Sequence, residues 1–165
     1  MSTKVSQAWA LSCALMLAAV GLPQAAAAGA DLQLVAADRA TTLDLSLESL
    51  GALPQATIVT ENQFTNGKVA YRGPLMRDVL AQLGLDDVAE VRLIAANDYF
   101  VDIPTEDFHA YDAILAMEAD GKQLSRRDKG PLWLMYPISD NPELRDPVYS
   151  TRLIWQVVRI EPLPD

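Results

Sequence analysis

Four cations, Lys122, Arg126, Arg127 and Lys129, fall within eight residues of a chain whose formal net charge is −9. Two guanidinium forks and two ammonium groups at this spacing suit an anionic ligand, because guanidinium groups pair with phosphate or carboxylate oxygens two at a time. The same stretch holds Asp120 and Asp128, so a solvated loop whose charges offset one another explains it equally well. The cluster lies between two apolar runs, residues 113–117 and 131–136. Runs this short, bounded by Gly and Pro, read as buried strands. Asp120-Gly121 between them is a turn pair, and Trp133, flanked by Leu132 and Leu134, is expected in the core.

Other candidates are sparser. Asn97, Asp98 and Tyr99 form a polar turn between two apolar runs. Trp133, Tyr136, Tyr149 and Trp155 could each fill core or line a pocket. His109 is the only histidine, and no second ligand stands at metal-binding spacing; it reads as a surface-loop residue. Glu106-Asp107, Asp86-Asp87 and Asp112 form no recognisable catalytic pair. Nucleophile elbows and Gly-rich phosphate loops are absent from the sequence.

The elements that must position these residues follow from periodicity and punctuation. Residues 29–41 read as a loose or edge segment with a possible short strand at Leu32-Gln33-Leu34-Val35. Leu43-Asp44-Leu45 alternates like a strand, and Ser46 is an N-cap type before a short helix. Residues 55–61 are a β-branched strand, separated by Asn66-Gly67 from its hairpin partner, residues 68–72. Gly73-Pro74 is expected to open the main helix, with Pro at the first helical position and Leu75, Val79 and Leu83 on one face. Gly84 closes it. Residues 91–95 and 99–103 form a second hairpin, residues 138–148 a long surface loop, and residues 153–160 a last strand. The sum is one α+β domain with mixed sheets and one main helix.

The segment LAMEADGKQLSRRDKGPLWLMYP resembles the signature stretch of the sulfite-oxidase-type molybdopterin-binding domain. Leu115-Ala116, Asp120-Gly121, Leu124, Gly130-Pro131-Leu132, Leu134 and Pro137 follow that family's order. Tyr71-Arg72-Gly73-Pro74-Leu75, Asn97-Asp98-Tyr99 and residues 154–160 add to a likeness over residues 43–160. The resemblance implies that fold, a pterin phosphate held near Arg126, Arg127 and Lys129, and a cofactor facing Asn97, Asp98 and Tyr99. It also implies a metal-ligating Cys after the strand at residues 57–59, where Thr60 and Glu61 stand instead. The Arg usual after Gly-x-Pro-Leu is here Trp133.

Lys4, the apolar run 8–22 and the small residues 25–28 have the form of a secretory signal peptide. Residues 1–28 are therefore expected to be removed after Ala28, leaving residues 29–165 as one molybdopterin-binding-domain-like module in the periplasm. Cys13, the only cysteine, falls in the signal, and the preceding Ala10-Leu11-Ser12 fits a lipoprotein site poorly. The mature form would then hold no thiol. Its acidity argues against nucleic acid and anionic membranes. The reading is a binding or accessory module without Cys-ligated molybdenum, taking a small anionic ligand or an envelope protein partner. The alternatives are a molybdopterin oxidoreductase with Thr60 or Glu61 as an atypical ligand, and a partner of an envelope sensor or redox system.

Overall fold

The computed structural model describes residues 30–164, so the expected signal peptide and Cys13 lie outside the described residues. In chain order, β1 (Leu32–Val35) and β2 (Thr42–Leu45) form a hairpin, its loop closed by Asp38 accepting from the Ala40 and Thr41 N–H groups. Ser46 caps α1 (Leu47–Ala52) by accepting from Ser49 N–H. β3 (Gln55–Thr60) and β4 (Val69–Pro74) pair antiparallel along their length. After α2 (Met76–Ala81) come the hairpin of β5 (Glu90–Ala95) and β6 (Phe100–Pro104), then α3 (Glu106–Ala110) and β7 (Ile114–Ala116). The short hairpin of β8 (Glu118–Ala119) and β9 (Lys122–Gln123) turns at Asp120-Gly121, both at positive φ, as a type I′ turn requires. β10 (Trp133–Met135), α4 (Pro147–Arg152) and β11 (Val157–Pro162) complete the chain.

The strands form a five-stranded mixed sheet, β2-β1-β11-β5-β6, a four-stranded sheet, β3-β4-β8-β9, and the pair β10-β7. β1 runs parallel to β11 and every other named pair is antiparallel. β7 lies against β4 so closely that a Cβ on Gly73 would sit 2.0 Å from the Leu115 carbonyl oxygen. Glycine is the residue that permits this approach. One apolar cluster unites the inward side chains of the sheets with Met76, Val79 and Leu80 of α2.

Five expectations are corrected. Residues 29–41 are not a loose or edge segment: the short strand expected at Leu32–Val35 is β1, and it is interior, with Leu32 and Leu34 fully buried. Pro74 does not open a helix; it ends β4 opposite Gln55. Leu75 stays extended because it bridges Ile114 while the Met76 N–H donates to the Ala113 carbonyl (2.8 Å), so pairing with the β7 region carries the strand past the proline. The helix's end is as expected: Gly84, at φ 63°, donates to Ala81 and Leu85 donates back to Leu80, the double bond of a Schellman cap. Residues 138–148 are not one irregular loop. They contain a 3₁₀ turn (Pro142–Arg145) that buries Leu144, and Asp146-Pro147 caps and opens α4. The last strand begins at Val157, because Gln156 takes positive φ just before it. His109 is in α3 rather than a loop, exposed at the surface.

Candidate functional site

Two connections, residues 61–68 between β3 and β4 and residues 96–99 between β5 and β6, meet beside Trp133 with the end of α4 and residues 153–156 that follow it. Between them lies a cavity of about 330 Å³ whose lining includes Gln63, Phe64, Asn97, Tyr99, Thr151 and Trp155. Large aromatic side chains are normally covered in a monomer, yet Phe64 is 37%, Tyr99 49% and Trp155 36% exposed. The rings are ordered by one another. Phe64 and Trp155 meet edge to face at 5.2 Å, and both pack on Trp133, at 6.2 and 6.5 Å. Trp133 is nearly fully buried, and its indole N–H donates to the Leu153 carbonyl (3.1 Å). It is the support of the groove rather than its lining. The Tyr99 hydroxyl reaches the Thr151 carbonyl (3.4 Å), joining the β5–β6 turn to α4 across the groove.

Lys129 belongs to this region. Its ammonium lies 5.5–5.6 Å from the ring centroids of Phe64, Trp133 and Trp155 at once. A cation among three ring faces is attracted by each quadrupole. Lys129 itself takes left-handed φ (66°), which turns the chain into Gly130. The other three cations of the sequence cluster do not accompany it: Lys122 is exposed in β9. Arg126 and Arg127 are exposed on a 3₁₀ turn (Arg126–Asp128), and Arg126 lines a separate cavity of about 110 Å³ with Gln156, whose amide donates to the Arg126 carbonyl. The basic stretch is thus split.

Asn97 and Tyr99 line the aromatic groove, while Asp98 between them is the turn residue, at φ 64°. The structural-turn reading of this triplet thus falls on Asp98. Thr60 ends β3 fully buried, its hydroxyl accepting from the Ser139 N–H (3.1 Å), and the Ser139 hydroxyl in turn accepts from the Glu61 N–H (3.0 Å). The Glu61 side chain is exposed and lines a second, polar cavity of about 470 Å³ with Asn62, Gln63, Lys68, Ser139 and Arg145. Gln63 borders both cavities. Among the described residues no group of three or more His, Cys, Asp or Glu is gathered as metal ligands would be.

No curated protein sequence matches the chain. The profile of the oxidoreductase molybdopterin binding domain matches residues 23–139. The chain belongs to that family. Among solved structures, sulfane dehydrogenase SoxCD from Paracoccus pantotrophus shares the fold, with a TM-score of 0.60 at 18% identity over 81% of this chain. The chain covers 38% of that SoxCD chain.

In this member of the molybdopterin-binding domain family, sequence reading found Asn97, Tyr99, Lys129 and Trp155 but passed over Phe64, Lys68, Ser139 and Arg145. Phe64 and Lys68 sit in a polar loop with no periodicity to flag them. Ser139 and Arg145 lie in the segment read as a long surface loop, and Ser139 meets Thr60 at the β3 end across a sequence separation of 79 residues. The Asp-Pro pair at 146–147 was the one available signal that this segment is ordered.

Proposed function

We propose that this molybdopterin-binding-family domain is a periplasmic binding or accessory module, one mature unit of residues 29–165, that takes a small ligand in the aromatic groove without thiolate-held molybdenum. The carrying observation is the groove itself: three exposed aromatic rings, of which Phe64 and Trp155 rest on Trp133 and are flanked by the Lys129 ammonium. Ligand pockets of this kind are largely apolar with a few convergent polar groups. Flat rings stack or meet edge to face, and Lys129 supplies a charge for an acidic group. The groove therefore suits a ligand with a flat apolar part and an anionic substituent.

Molybdenum held by a thiolate does not fit the donors present. At the position where the family resemblance calls for Cys, Thr60 is buried with its hydroxyl held in the Ser139 knot, and Glu61 offers only a carboxylate. These are hard oxygen donors, where a soft thiolate would set the metal's electronic character. Localisation in the periplasm is supported by the signal-like pattern of residues 1–28.

Protein purified from its native periplasm tests the proposal. It is expected to carry no stoichiometric molybdenum, and ligand binding is expected to change the fluorescence of Trp155, an effect absent from Trp155→Phe. Near-stoichiometric molybdenum that disappears in Glu61→Ala or Thr60→Ala would establish the atypical oxidoreductase instead.

A further inference from the structure

The polar cavity beside the end of β3 is chemically the opposite of the groove, and its argument is independent of whatever fills the groove. Its floor is held by main-chain and side-chain bonds. Thr60, Glu61 and Ser139 interlock as described. Asn62, 8% exposed, accepts from Phe64 N–H (2.9 Å) and donates to Met135 Sδ (3.7 Å), pinning the loop to β10. A loop fixed in this way is preorganised, so ligand binding need not order it.

The groups facing this cavity are mostly donors. Lys68 and Arg145 line it, and neither takes part in an ion pair among the described residues. An ammonium and a guanidinium have no acceptor capacity. The Ser139 oxygen accepts from Glu61 N–H (3.0 Å), while the Thr60 hydroxyl accepts from Ser139 N–H and lies within reach of the Glu61 carbonyl as donor. Thr60 Oγ1 also lies 3.4 Å from Ser139 Oγ, a long contact in which Ser139 accepts, so the Ser139 O–H proton can turn to a ligand. Gln63 adds an amide. On the acceptor side stands the Glu61 carboxylate, with the Gln63 carbonyl oxygen. Donors from two loops, residues 61–68 and 138–145, thus converge on one space, and two of them carry full positive charge.

We propose that this cavity is a metal-free binding site for a small, multi-oxygen anion, recognised by Lys68, Arg145 and the Ser139 hydroxyl, with Glu61 opposing and thereby limiting its affinity. A negative net charge over the chain weakens any general attraction for anions, so binding rests on this local convergence. The shared chemistry is a compact group of acceptor oxygens, which a tetrahedral oxyanion or a carboxylate can supply.

The test is titration of sulfate, phosphate, acetate and citrate, each separately, into ¹⁵N-labelled protein at fixed ionic strength. Saturable shifts are expected at the amides of Asn62, Gln63 and Ser139. Saturation by sulfate and phosphate alone assigns a tetrahedral oxyanion; saturation by acetate or citrate assigns a carboxylate. Lys68→Ala and Arg145→Ala are expected to weaken binding by about tenfold or more each, the loss of one charged hydrogen bond. Glu61→Gln is expected to tighten it. The Arg126→Ala/Arg127→Ala double variant removes as much positive charge elsewhere and is expected to leave binding unchanged. All substituted side chains are exposed, and thermal melts check that each variant folds. The proposal is overturned if no anion saturates at millimolar concentration, if the distant double variant weakens binding as much as the cavity variants do, or if Glu61→Gln leaves affinity unchanged.

Discussion

Two polar regions of this domain differ in what their side chains have left to give. On one side, α3, β10 and α4 are tied by a buried network. Arg152 pairs with Asp107, both side chains about one-seventh exposed or less, and the Tyr136 hydroxyl donates to the same carboxylate (3.2 Å). Tyr149 reaches Tyr111 (3.5 Å), and the Arg152 guanidinium stacks over the Tyr149 ring. Each charge there meets a partner inside the chain. On the other side, around residues 61–68, Phe64 and Trp155 are partly exposed, and Lys68 and Arg145 have no carboxylate partner among the described residues. The first arrangement holds the fold together. The second keeps bonding capacity for something outside it, and that difference, rather than residue type, separates a structural polar cluster from a binding one.

The comparison can be broken most forcefully at Trp133, which underlies the groove but is buried like the network. Trp133→Ala is expected to lower unfolding free energy by about 3–5 kcal/mol, read from denaturant titration; a shift below about 1 kcal/mol would place the ring among the exposed groove residues. Next comes Arg152→Ala, which strands the Asp107 carboxylate in a mostly dry site. A loss of about 3 kcal/mol is expected, because a buried charge without its partner costs far more than the pair contributes; a surface-sized loss would remove the contrast between the two regions. Trp155→Ala sharpens it from the other direction. Stability should change by no more than about 1 kcal/mol, while ligand-induced fluorescence change in the groove disappears.

The smallest effect is a pH dependence confined to the network. The Tyr149 hydroxyl is pushed up to about 12, chiefly by its bond to Tyr111 and then by desolvation, and burial with the nearby Asp107 carboxylate raises Tyr136 well above its usual range. A folded value above the unfolded one means the protonated form is favoured by folding. The contribution is fully present below the ordinary tyrosine value of about 10 and is lost as pH rises through the folded value. Alkaline unfolding of Tyr149→Phe should accordingly be less steep than that of the parent over this range, followed by circular dichroism. Equal slopes would show that the network does not couple to folding.

Much of the scaffold was legible in the residues. The β-branched stretch of β3, the turn pair Asp120-Gly121, the Ser46 cap and the Gly84 stop act locally, through backbone preferences of neighbouring residues, so sequence alone determined them. The apolar run around Trp133 could be read as core because its neighbours on both sides are apolar. Charge and the single cysteine were equally a matter of composition. Tertiary structure decided the rest. Pro74 stays in a strand because the Ala113 carbonyl and Ile114 hold the following residues extended, a choice no local propensity contains. The four clustered cations part company because Lys129 turns into three aromatic rings while Lys122, Arg126 and Arg127 stay exposed outside. Both cavities are built from loops far apart in the chain, and whether a lysine, an arginine or a serine hydroxyl there finds a partner depends on which distant loop folds beside it.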